Sequence, residues 1–86
     1  MASVSILNPV ANMDGIEFIG NRGGVEQKFL LHREALEDIE YKVLETGPEM
    51  MQSFIRHKIL IAEVAAKVLD DTGASAKTKL LQSLIV

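Results

Sequence analysis

The chain has 86 residues, 48% of them hydrophobic and 24% charged, enough for one small folded domain and too apolar for a disordered tail. Its net charge is -3 and its nine Lys and Arg residues are scattered, which argues against nucleic acid as a partner. It has no cysteine, which excludes a disulfide framework, an iron–sulfur cluster and thiol catalysis.

Residues 1–24 hold Gly15, Gly20, Gly23 and Gly24, Pro9, and three asparagines, so an irregular, extended docking segment is expected there. Asp14-Gly15 followed by Ile16-Glu17-Phe18 offers either the turn of a short hairpin or a loop with no partner strand. Val4, Ile6, Leu7, Ile16, Phe18 and Ile19 are its docking points. Met1 to Gly20 contain no Lys or Arg, so the basic start of a cleavable export signal is missing.

From Val25 to about Glu45, the residues Val25, Phe29, Leu36, Ile39 and Val43 recur at helical spacing, with His32 filling the missing step. Charged residues occupy the other positions. The spacing predicts an amphipathic helix over 25–45, ended by a turn at Thr46-Gly47-Pro48.

A second helix is expected over 48–86. One apolar line on it runs Met51, Ile55, Ile59, Ala62, Ala66, Leu69, Gly73, Ala76, Leu80 and Leu84. Another, about 100° around the helix, runs Met50, Phe54, Ile61, Ala65 and Val68. Unbroken, roughly 36 residues would span ~55 Å, against an expected radius of gyration of ~12 Å for a domain of this size. A break is therefore placed near 70–73, at Asp70-Asp71-Thr72-Gly73. Glu63 and Lys67 interrupt the apolar stretch from Ile59 to Leu69, so it is not a membrane-spanning segment.

Two apolar lines on one helix exceed what a single antiparallel helix covers. The first helix buries one line, and the other is expected to need a different chain. Small proteins without disulfides or metals commonly solve such a shortage by associating. The candidate protein-interaction residues are Met50, Phe54, Ile55, Ile59, Ile61, Ala65, Val68, Leu69, Gly73, Leu80 and Leu84.

No catalytic or metal set can be assembled from the rest, and no cofactor is expected. His32 and His57 are the only histidines and lie at no metal-ligand spacing. Arg56-His57-Lys58 reads as a solvated basic face or a pore-facing ring. Asp70 and Asp71 are adjacent, so on a helix they diverge and cannot share a proton. Gly20-Asn21-Arg22-Gly23-Gly24 lacks the Lys-Ser/Thr of a phosphate-binding loop and reads as a flexible linker.

This layout resembles the axial proteins, inner rod and needle, of bacterial type III secretion systems. Pro48-Glu49-Met50-Met51-Gln52 is similar to the opening of their second helix, and Thr72 to Ala76 with Leu80-Leu81-Gln82-Ser83 to the close of inner-rod proteins. The chain lacks the Pro-x-x-Pro turn of many needle subunits, which favours the rod. The resemblance implies a secreted, homo-oligomeric subunit of an export conduit, packed by its helices against export-apparatus and needle proteins. The expectation is thus an all-α helical hairpin with a structural role. The alternative is a small helical binding module, such as a secretion chaperone or a phage-encoded inhibitor, gripping another protein through its second apolar line.

Overall fold

The structure, a computed structural model, describes residues 4–85 and corrects the all-α expectation. In chain order it contains β1 (Ser5–Asn12), β2 (Gly15–Arg22), β3 (Val25–His32), α1 (Arg33–Glu40), α2 (Gly47–Arg56), α3 (Lys58–Thr72) and β4 (Lys79–Leu81). The four strands form one sheet in the order β1-β2-β3-β4, antiparallel except for the parallel β3–β4 pair. The helices cover one face of it, giving a two-layer α/β fold.

The segment expected to be an irregular docking arm is half of the sheet. Asn12 and Gly15 face each other across a two-residue loop, and Asn12 Oδ1 accepts hydrogen bonds from the N–H groups of Asp14 (2.8 Å) and Gly15 (3.1 Å). At Gly15, φ is 152° and a Cβ would lie 1.9 Å from the Leu31 carbonyl oxygen, so only glycine fits. The expected linker at Gly23-Gly24 is a second tight hairpin. Both glycines have positive φ (61° and 85°), the condition under which a two-residue loop follows the twist of its strands.

The helix expected over 25–45 divides in two. Residues 25–32 are strand β3, because Gln27, Phe29 and Leu31 alternate inward with a period of two and pair in register with Gly20, Phe18 and Ile16. Only Arg33–Glu40 is helical, ending at Tyr41 with φ 58°. The Phe29 and Leu36 positions that suggested one helical face belong to two different elements.

The helix expected over 48–86 is also shorter and bent. Thr46 and Glu49 form a reciprocal capping box that starts α2, with Pro48 in its first turn. The helical path turns at His57, whose ψ of 21° departs from helix, and resumes as α3. Gly73, with φ 73°, ends α3, within the segment where a break was expected. The chain then crosses back, and Leu80-Leu81, expected on the helix, instead pair beside Leu30-Leu31. The longest extent is 33 Å and the radius of gyration 11.9 Å.

The core lies between the layers. Phe18 stacks on Phe29 with ring centroids 5.2 Å apart, and Phe54 of α2 meets Phe18 at 5.5 Å in a tilted arrangement. Ile16, Leu31, Leu36 and Ile61 surround them with no exposure. Buried Gln27 ties the return crossing to the sheet: its Nε2 donates to the Lys77 carbonyl (2.8 Å) and its Oε1 accepts from the Ser75 N–H (2.7 Å). A buried amide so satisfied fixes where the last strand lands.

Candidate functional site

The structure divides the candidate interaction residues between core and surface. Phe54, Ile61 and Ala65 have no exposure, and Met50 (4%), Leu69 (6%) and Leu84 (2%) are nearly as enclosed. Val68 is half-buried against the same cluster. The line running Met50, Phe54, Ile61, Ala65 is therefore the side of α2 and α3 that meets this chain's own sheet. The sequence offered no sheet to cover it, so it read as unpartnered. Ile55, Ile59 and Leu80 are exposed, Leu80 on β4 and away from the other two, and exposed Gly73 caps α3.

Ile59 sits beside a groove. One wall is the start of the sheet's outer strand, Val4, Ser5 and Ile6; the other is α3, with Ile59, Ala62 and Ala66. The cavity is about 620 Å³. Alanine at positions 62 and 66 leaves the helix wall shallow, so the groove follows from small residues at one-turn spacing. Lys58, Glu63, Lys67 and Asp70 rim it, two of each sign. On the same flank, Arg22 Nη1 lies 2.9 Å from Asp70 Oδ1.

β1 pairs with β2 on one side, and among the described residues nothing pairs with its other side. Unpaired strand edges are usually blunted by bulges or proline. Here the blunting is confined to the middle of the strand. Asn8 has φ 52°, Pro9 has no N–H, and the register slips between Leu7 and Val10. Ser5 to Leu7, which begin at the groove, pair regularly with Asn21, Gly20 and Ile19 and have no such device. This half of the edge was not found from the sequence. The signal present was Asn8-Pro9 punctuating an otherwise apolar run.

A second constellation joins α1 to the α2–α3 bend. Glu40 Oε2 accepts from Ser53 Oγ (2.7 Å), from Arg56 Nε (3.1 Å) and Nη2 (2.9 Å), and lies 3.0 Å from His57 Nε2. The Ser53 hydroxyl first, then Arg56 and His57, hold the Glu40 carboxyl down at about 2, against the opposing effect of burial. Ser53 has no exposure, and the His57 Nε2 is engaged by Glu40 rather than by the Ser53 oxygen. With the Ser53 hydroxyl donated to Glu40 and closed off from solvent, the arrangement reads as a lock between helices. The basic run Arg56-His57-Lys58, expected to be a solvated face or a pore-facing ring, supplies two side chains to a contact between helices, with Arg56 itself left exposed. Its acidic partner, sixteen residues earlier in sequence, was not legible.

A free-edged sheet backed by three helices, carrying an edge groove, defines a small α/β domain of the two-layer class. The chain belongs to the DUF1488 family of proteins of unknown function, whose sequence profile matches residues 10–81. A crystal structure of a DUF1488-family protein of unknown function from Shewanella loihica PV-4 shares the fold, with a TM-score of 0.80 and 13% identity over 96% of each chain. No curated protein matches. These findings overturn the resemblance to type III secretion rod and needle subunits. That resemblance rested on Thr46 to Ser83 as one helical run, and the run contains two helices, a crossing and a strand.

Proposed function

We propose that the chain is a non-catalytic protein-binding module that takes up an extended segment of a partner along the free edge of β1. The observation that carries this reading is the coincidence of two features. The undefended part of the edge, Ser5 to Leu7, opens onto the apolar groove floored by Ile6, Ala62 and Ala66. Strand addition of this kind draws affinity from main-chain hydrogen bonds and selectivity from pockets for alternate side chains. The groove receives every second side chain of the incoming segment. With two cations and two anions on its rim, it favours a segment of low net charge with small or medium apolar residues at alternating positions.

Selecting binders from a displayed library of random linear peptides, followed by NMR titration with a selected peptide, tests this. The amide signals of Ser5 to Leu7 and of α3 near Ala62 are expected to move together. Ile6→Pro, which removes an N–H that the register turns to the free edge, and Ile59→Asp beside the groove are each expected to weaken binding at least about tenfold, a difference of ~1.4 kcal/mol. Peptides that bind through other surfaces, unaffected by both changes, would overturn the proposal.

A further inference from the structure

Among the described residues, the sheet's other face carries no helix. There, two neighbouring rows of side chains cross the strands, one made of Val10, Glu17, Leu30 and Leu80 and the next of Leu7, Ile19 and Lys28. Val10, Leu80 and Leu7 are 59%, 52% and 37% exposed. Glu17 and Lys28 are exposed too, on adjacent strands and in different rows, and both border a hollow of about 250 Å³. Among the described residues neither forms an ion pair within the chain; Glu17 Oε2 accepts from Asn12 Nδ2 (2.7 Å).

We infer that this face is the contact between two copies of the chain. The pattern is self-complementary. A two-fold axis running across the strands, midway between the rows, sets each row of one copy against the other row of its partner. Val10 then meets the partner's Leu7. Lys28 lays its aliphatic stem over the partner's Leu30 and ends about one strand spacing, ~4.8 Å, from the partner's Glu17. The same operation forms the reciprocal pair, so one acid and one base per chain give two ion pairs across the dimer. Charges of opposite sign on either side of the axis suit a second copy, since such a contact must complement itself and closes at two subunits. The edge groove lies on the helix side of β1 and stays open in this dimer, so the inference stands apart from the proposed peptide site.

Sedimentation of the whole chain over a concentration series tests it, with circular dichroism to verify that each surface variant folds. The wild-type chain is expected to be a monomer–dimer equilibrium. Glu17→Lys alone and Lys28→Glu alone each set like charges against one another and should raise the dissociation constant at least about tenfold. Mixing the two single variants should restore dimers, because every cross-copy pair is then opposite in sign; the double variant should do the same. Ile59→Asp, beside the groove, should leave the equilibrium unchanged. A wild-type monomer at all concentrations, a dimer indifferent to the single reversals, a mixture that stays monomeric, or a dimer lost in Ile59→Asp would each overturn the inference.

Discussion

On the sheet-facing side of α2 and α3, Phe54, Ile61 and Ala65 have no exposure, while Ile55 is 62% and Ile59 79% exposed. Ile61 and Ile59 are the same residue type two positions apart. Two steps of 100° turn one isoleucine from the interior to solvent. Side-chain chemistry alone does not separate them; the element packed on one side does. Ile61 contributes to the core, whereas Ile59 lies open beside a groove and is available to something outside the chain.

The strongest way to break this contrast is to place the same charge on both sides. Ile61→Asp buries an unpaired carboxylate in a cluster without exposure, and is expected to abolish the cooperative unfolding transition of so small a domain. Thermal and urea denaturation followed by circular dichroism would show it; a transition like the wild type's would refute the assignment of this side to the core. Phe54→Ala removes a ring that meets Phe18 at 5.5 Å and should cost ~3–5 kcal/mol in urea denaturation.

Acid sharpens the comparison at the helix lock. The Glu40 carboxyl lies at about 2 in the folded chain against an ordinary 4.5. A depressed value means that the stabilisation is complete above about 4.5 and is lost as pH falls toward 2. Denaturation midpoints of the wild type and Glu40→Gln should therefore differ at neutral pH and converge over that interval. A constant gap would show that the lock acts through packing rather than charge. The smallest effect is expected from Ile59→Asp. At 79% exposure it should change stability by less than about 0.5 kcal/mol while weakening any peptide held in the groove.

Part of this architecture was legible in local residue choices. Thr46-Gly47-Pro48 marks a boundary, Gly73 ends a helix near the predicted break, and Asp14-Gly15 lies at a hairpin turn. Each acts through the backbone of its own few residues, so its effect needs no distant partner. β3 was misread because Val25, Phe29 and Leu36 satisfy a helical spacing while Gln27, Phe29 and Leu31 satisfy a strand's. A polar glutamine at an inward position hid the alternation. The Glu40 lock was hidden for a related reason. A glutamate beside tyrosine and lysine looks solvated until α2 places Ser53, Arg56 and His57 around it.

The sequence by itself determined some of the places where the chain turns, at Asp14-Gly15, at Thr46-Gly47-Pro48 and around Gly73, and the apolar periodicity of Met50, Phe54, Ile61 and Ala65. Local φ preferences, caps and periodicity require no knowledge of what lies across the molecule. Only the tertiary structure decided that a sheet rather than another helix covers Phe54, Ile61 and Ala65. It alone joined Leu80-Leu81 to β3 and left half of the β1 edge free beside a groove. Those outcomes depend on strand pairing between residues up to fifty positions apart, as between Leu31 and Leu81, and such pairing is set by the partner segment as much as by the residues themselves.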